Sequence, residues 1–451
     1  MEATPIPDSA QPPAPAASVV SDSQSPTACE LASCASPTIA VLHASVGNGH
    51  RVAAEAVAQA LEQLRDLGAQ GLLGVDPSMR VTVIDMLEKG RVSIDGDKTA
   101  LMFTGPTRPI YDITWRYWLT GRLLWAGGTI WSRIMFPDFT RWVRDNRPVA
   151  VVATHITAAN VAVGARMITG QKFPIVCVPT DYEVEGMWPH RYGDLYCVAC
   201  DSMAETLRAR RVDEKRILLT GIPARSEFRQ GYSRDQVRQD WNIPSDKLVA
   251  LVLAGANLAQ PYLRFREILD KALPELKLID NLHLVFLAGS DSAYEQALRD
   301  AFARERMHNA SVLGYTTDVA KLMAASDLCI CKPGGLTVTE CLCTKTPMML
   351  VGRAYGQEKC NARLLTSLGA ALHVQTAREL GAAVRHVALH QPSLLAMKAN
   401  EGYLGRSDAA MKIAVSTLQM AFSQHDAETI ARWGERTFMS FYWGNQPAHT
   451  R

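Results

Sequence analysis

At 451 residues the chain is too long for one ordinary hydrophobic core and predicts about two or three domains. Its 47% hydrophobic and 20% charged composition is that of a globular protein in water, and a formal net charge of +2 excludes a strongly basic nucleic-acid binder on bulk charge. No apolar run is long enough for a membrane-crossing helix, which takes about 18 residues or more.

Residues 1–37 are rich in Pro, Ala and Ser and read as a disordered tail. They lack the basic start and apolar core of a secretory signal. Order begins at Thr38, and the run to Ala44 is a strand. Ser45 to His50 follows as a glycine loop, and Arg51 to Leu67 as an amphipathic helix. Val81 to Asp85 is a second strand. Residues 99–147 then hold five of the nine tryptophans, seven arginines, no lysine and three aspartates, a net of +4. Trp115, Arg116, Trp118, Trp125 and Trp131 fall at roughly helical spacing there. Two readings stand: an amphipathic surface resting on anionic lipid, or a helical excursion whose tryptophans are core.

Strand–helix alternation resumes with strands at Val149–Thr154, Pro174–Val178, Leu195–Ala199 and Ile217–Thr220. Residues 224–246 are polar and read as a linker. A second series follows, with strands at Leu248–Leu253, Leu282–Ala288, Ser311–Leu313, Asp327–Cys331 and Pro347–Val351. The expected fold class is therefore α/β, with two parallel-sheet, Rossmann-like domains at 38–223 and 247–423 and an aromatic tail at 424–451. Ten cysteines could suggest a metal or disulfide framework. Cys177, Cys197, Cys329 and Cys331 fall in strand-like runs, Cys341 and Cys343 in a helix, and Cys197 and Cys200 form a lone C-x-x-C. Reduced core thiols and no metal are expected.

The densest chemical signal is Lys332-Pro333-Gly334-Gly335-Leu336-Thr337-Val338-Thr339-Glu340. It reads as strand, Pro-Gly-Gly turn, helix start. Gly334 and Gly335 are expected to allow positive φ and close approach, and the helix start offers free N–H groups to a phosphate. Glu340, one turn in, suits the paired hydroxyls of a ribose, and Lys332 adds positive charge. Gly255, Gly314, Tyr315, Gly356 and Gln357 fall in loops of the same kind. Gln357, Glu358 and Asn361 suit sugar hydroxyls. No Walker Lys-Ser/Thr and no G-x-G-x-x-G with a downstream acid is present, which argues against P-loop and nicotinamide chemistry. In the first half, His50 ends a glycine loop and is a candidate general base, with His43, His155, His190 and Asp181 as rivals.

Val46-Gly47-Asn48-Gly49-His50, Thr180-Asp181-Tyr182 with Trp188 and His190, Gly221-Ile222-Pro223-Ala224-Arg225, the 332–340 stretch, and Gly356-Gln357-Glu358 with Asn361 together resemble glycolipid glycosyltransferases of the GT-B fold. The set is similar to the monogalactosyldiacylglycerol synthases and processive diacylglycerol glucosyltransferases of glycosyltransferase family 28. The resemblance implies two domains facing across a cleft and inverting transfer of galactose or glucose from a UDP-sugar to diacylglycerol. It also implies a cytoplasmic enzyme, peripheral on the inner face of the cell membrane, with an anionic membrane surface as partner, no nucleic acid, no cofactor and no metal. Carried onto this chain, Gly49, Arg225, Gly255, Gly314, Tyr315, Lys332, Gly334, Gly335, Leu336, Thr337 and Glu340 would hold UDP. Gln357, Glu358 and Asn361 would hold the sugar, and His50 and Asp181 would serve catalysis. One departure is Ala254-Gly255-Ala256-Asn257, where the family usually has consecutive glycines.

Overall fold

A computed structural model describes residues 36–45, 48–66, 76–90, 134–184, 186–254, 263–402 and 404–422. The first sheet is built from β1 (Thr38–His43), β2 (Arg80–Asp85), β3 (Ala150–Ala153), β4 (Ile175–Cys177), β5 (Leu195–Val198) and β6 (Ile217–Leu219), in the order β2-β1-β3-β4-β5-β6. The second comprises β7 (Leu248–Leu253), β8 (Leu282–Leu287), β9 (Ala310–Leu313), β10 (Leu328–Cys331), β11 (Met348–Val351) and β12 (Ala371–Val374), in the order β12-β11-β10-β7-β8-β9. Every pairing is parallel.

Helices complete the crossovers. In the first half they are α1 (Gly49–Asp66), α2 (Pro137–Asn146), α3 (Ile156–Thr169) and α4 (Asp201–Ala209), followed by α5 (Arg234–Asp240) between the sheets. In the second half they are α6 (Leu263–Leu276), α7 (Ser292–Glu305), α8 (Val319–Ala325), α9 (Gly335–Thr344), α10 (Glu358–Ser367), α11 (Ala377–Leu389), α12 (Gln391–Glu401) and α13 (Ala409–Phe422).

The strands read as unbroken apolar runs because both faces of each sheet are covered. On β1, Ala40 and Leu42 enter one buried cluster while Ile39 and Val41 enter another, as the two-residue period of a strand requires. The first of those clusters continues into the second sheet through Cys329, Cys331 and Leu350, so one apolar core is shared between them. Trp142, part of the Trp/Arg segment, stacks on Phe139 at 5.9 Å and packs against this core. Trp115, Arg116, Trp118, Trp125 and Trp131 lie outside the described residues, as do Gly47 and Gly255.

Three expectations need correction. The 224–246 stretch is not a plain polar linker. It carries α5, whose Arg238 is 2% exposed and donates to Asp327 Oδ2 at 2.9 Å and to the Ala325 carbonyl at 3.0 Å, tying the stretch to the second sheet. A further strand, β12, closes the second sheet. It is four residues long with a half-buried His373 in it, too short and too polar for its periodicity to show. Finally, α13 does not stay with the second domain. Its Ile413, Ala414 and Leu418 are buried with Val57 and Leu61 of α1 and Val152 of β3. The chain therefore crosses between the sheets twice, and the crossings touch: Gly221, at φ +92°, leaves room for only 2.7 Å between an added Cβ and Arg406 Cβ.

Candidate functional site

In each sheet the chain reverses its direction of growth once, between β1 and β3 and between β7 and β10. Such a reversal leaves a crevice at the carboxyl ends of the two strands, where open α/β sheets bind ligands. The first crevice receives His50 from the start of α1, Thr154 and His155 from the end of β3, and Thr180 and Asp181 from the loop after β4. The second receives Lys332 to Gly335, between β10 and α9.

The two crevices meet. A Cβ on Gly335 would collide with the Thr180 carbonyl and come within 2.6 Å of Asp181 Oδ1. A Cβ on Gly49 would lie 3.7 Å from Leu336 Cβ, so the amino ends of α1 and α9 are neighbours. Gly334 has φ −72° and ψ 135°, the extended backbone of an N-cap, so the expected positive φ is absent. Glycine at 335 is required instead by the closeness of the opposite wall. Two helix amino ends directed at one place favour an anion there.

On the first wall, the His50 Nδ1 lies 3.1 Å from the Thr154 carbonyl and 2.7 Å from Thr180 Oγ1. The carbonyl can only accept, which favours the tautomer with the proton on Nδ1 and the lone pair on Nε2, while the Thr180 hydroxyl can serve either tautomer. Thr154 Oγ1 donates back to the His50 carbonyl at 2.9 Å. Burial lowers the His50 pKa to about 4, although its residue surface is partly exposed, and the imidazole is neutral at neutral pH. His155 packs edge-on at 4.5 Å from His50 and accepts from Thr157 N as the N-cap of α3, so it is spent on capping. His190 bonds Arg210 at 2.9 Å, and His43 sits beside Asp85 at 3.9 Å. Of the histidines weighed, His50 is the one at the junction of the two crevices.

Asp181 has the opposite tuning. Burial raises its pKa to about 7, with Glu358 adding to the rise and the amide of Asn361 and the charge of Lys332 opposing it. The loop carrying it is held at its far end by a buried pair, Arg166 Nη1 to Asp194 Oδ2 at 2.5 Å.

On the second wall, Lys332 Nζ pairs with Glu358 Oε1 at 2.5 Å, directly beside Gly334. Glu358 Oε2 is buried with no hydrogen-bond partner among the described residues, an acceptor suited to a hydroxyl. Burial raises the Glu340 pKa to about 8, against the opposing charge of Arg225. Asn361, expected to hold a sugar, is 0% exposed and fully engaged. Its Nδ2 donates to Asp181 Oδ1 at 2.8 Å and to the Pro333 carbonyl at 3.0 Å, and its Oδ1 accepts from Tyr182 N at 2.9 Å. It joins the two walls instead. The Tyr182 hydroxyl reaches Thr339 Oγ1 at 3.1 Å and strengthens the same junction. Leu336, Thr337 and Gln357 are half-buried at the starts of α9 and α10. Gly314 and Tyr315 follow edge strand β9, and the Tyr315 residue is 75% exposed.

Sequence reasoning named Thr180 only as part of a motif, did not single out Thr154, and linked neither to His50. The signal present is a Thr at the carboxyl end of one strand and another in the loop after the next, but only the fold brings both to one imidazole.

Two parallel six-stranded sheets with apposed switch points define the GT-B class of glycosyltransferase fold. In fold the chain resembles MurG of Acinetobacter baumannii, with a TM-score of 0.53 over 85% of this chain and 99% of that one, at 17% identity. Residues 50–224 match the model for monogalactosyldiacylglycerol (MGDG) synthase, and residues 249–413 match the glycosyltransferase family 28 C-terminal domain. One half of the chain is thus similar to one glycosyltransferase family and the other half to a second. The chain is 29% identical over 235 residues to a processive diacylglycerol beta-glucosyltransferase of Bacillus subtilis, a match over 52% of this chain that spans 60% of the relative's length. A protein of the same name from Bacillus cytotoxicus is 24% identical over 86% of this chain and 95% of its own.

Proposed function

We propose that the chain moves glucose or galactose from a UDP-sugar to the free hydroxyl of diacylglycerol, with inversion, at the surface of a membrane. The observation that carries this reading is the meeting of the two crevices at Gly335 and Asp181. It sets a neutral imidazole and a tuned carboxyl against a pair of helix amino ends. The relatives named as diacylglycerol glucosyltransferases supply the acceptor.

In this reading UDP lies along the start of α9. Backbone N–H groups of Gly335, Leu336 and Thr337 meet the pyrophosphate, Glu340 the ribose, and Gln357 and Glu358 the sugar hydroxyls. The acceptor oxygen attacks the anomeric carbon from the first wall. Its proton passes to Asp181 or to His50 Nε2, the bond from the anomeric carbon to the β-phosphate oxygen breaks, and UDP leaves with the electron pair. Charge developing on that oxygen is met by the helix dipole and by Lys332, which stand in for a metal. Diacylglycerol is not soluble, so in this reading the enzyme works peripherally on a membrane, on its cytoplasmic face as in the family it resembles, with Trp115, Arg116, Trp118, Trp125 and Trp131 touching it. Among the described residues no helix is long and apolar enough to cross a membrane.

The test is to incubate the purified chain with diacylglycerol liposomes and either UDP-glucose or UDP-galactose. A sugar-bearing lipid formed from one of them is expected. Absence of lipid-borne sugar with both donors would refute the proposal, and turnover of the donor without lipid would move the chain to another UDP-sugar reaction. Sedimentation with anionic but not neutral vesicles tests the membrane assignment separately.

A further inference from the structure

Cys329 and Cys331 are two residues apart on β10, so their side chains leave the same face of the sheet. Cys341, in the second turn of α9, packs onto that face. The three Sγ atoms lie within 4.8 Å of one another, and the three residues are 0–1% exposed. None of the three is in a disulfide. Among the described residues this is the one group of three His, Cys, Asp or Glu donors close enough to share an ion. Two thiols from a strand and one from the helix that follows it make a three-pointed cradle, which neither a C-x-C motif nor a helical cysteine announces alone.

Chemistry narrows what such a cradle takes. Metal–thiolate bonds of about 2.3 Å set three sulfurs roughly 4 Å apart, which the observed spacing allows. Structural zinc is almost always four-coordinate, and here a fourth protein donor is missing among the described residues. Three thiolates around a monovalent soft cation such as Cu(I) would leave two net negative charges in an apolar core, a costly arrangement. Trivalent arsenic avoids this. Three S–H groups and As(OH)3 give As(SR)3 and three water molecules, with each As–O bond replaced by an As–S bond, no change of oxidation state and no charge left behind.

We propose that Cys329, Cys331 and Cys341 form a binding site for a soft, three-coordinate thiophilic centre of the trivalent arsenic type. The site lies directly beneath the Lys332–Gly335 turn, since β10 and α9 are the two elements that the turn connects. Its occupancy would pin α9 against β10 and fix the turn. An effect on turnover rests on the proposed role of that turn in holding UDP; binding itself does not.

The experiment uses the full, reduced chain. It is incubated with arsenite, and in a parallel arm with Cu(I) supplied from a competing chelator under anaerobic conditions, then examined by native mass spectrometry. One arsenic per chain is expected, with three hydrogens lost from the protein, and slow loading because the sulfurs are buried. Cys341→Ala and Cys329→Ala should each reduce the loaded fraction at least tenfold, while Cys343→Ala, on the same helix but outside the triad, should leave it unchanged. Arsenic X-ray absorption on the loaded wild-type chain should show three sulfur neighbours, which keeps the proposal testable if the alanine variants do not fold. No retained arsenic, retention undiminished in both triad variants, or fewer than three sulfur neighbours would overturn the site. Tighter loading by Cu(I) than by arsenite would overturn its assignment to a neutral complex. Loading without loss of sugar transfer would break the link to the turn and leave the site standing.

Discussion

The two crevices are topological twins with opposite chemistry. Each lies where its sheet reverses growth, and each has a helix starting at its mouth. The first holds an imidazole whose pKa is lowered to about 4 and which is kept neutral, with its Nδ1 set against a backbone carbonyl and a hydroxyl. The second holds an ion pair, a buried carboxylate oxygen without a partner and a carboxyl raised to about 8. Asp181 sits between them, belonging to the first wall by chain and to the second by its bond to Asn361. In the proposed reaction the same fold position would serve proton transfer on one side and anion and hydroxyl recognition on the other. The difference comes from which side chains follow the strand ends.

The strongest way to break this division is Asp181→Asn. If Asp181 takes the acceptor proton, kcat falls about 10³-fold, within the range for a lost general base. The pH profile then discriminates. With Asp181 as base, kcat/KM of the wild type rises with pH and bends near 7; with His50 as base the bend lies near 4. His50→Gln should cost less, about 10²-fold in kcat, because Asp181 remains. Gly335→Ala tests the meeting of the walls. The added Cβ collides with the Thr180 carbonyl, and unfolding in urea should show a loss of about 1–3 kcal/mol, as overpacking does.

Glu340→Gln is the smallest change and sharpens the recognition side. UDP binding, measured by calorimetry, should weaken about tenfold, equivalent to about 1.4 kcal/mol. Its effect on stability has a defined sign. The folded pKa of about 8 lies above the ordinary 4.5, so between those values the folded chain keeps a proton that the unfolded chain has released. Stability is then lost as pH rises through that window. Gln removes the titration, so the variant should gain on the wild type between pH 5 and pH 8 in urea unfolding.

Much of this was legible in the residues. Apolar runs such as Ile39–Leu42 and Leu328–Cys331 mark strands because parallel sheets bury both faces, and Gly-rich loops at their ends mark the site. What periodicity cannot carry is tertiary pairing. Asn361 looks like a sugar ligand by type, and only the fold shows its amide spent between Asp181, Pro333 and Tyr182. The reason for Gly335 was misread for a similar cause, since positive φ is a local property and the closeness of Thr180 is not. β12 was missed because four residues with a polar member give no period to count.

The double crossing has a mechanical consequence. Because the chain passes between the sheets at Gly221 and returns at Arg406, with the two segments in contact, the lobes are strapped together by two adjacent cords. Such a joint permits rotation about the line of the cords and resists sliding or twisting, like a door on paired pins. Any widening of the cleft to exchange substrate would swing about Gly221 and Arg406. It would part the Asp181–Asn361 bond between the walls, while α13 stayed seated on α1. After a single proteolytic cut near Gly221 the second lobe would still be tied to α13, whose packing on α1 would hold it to the first.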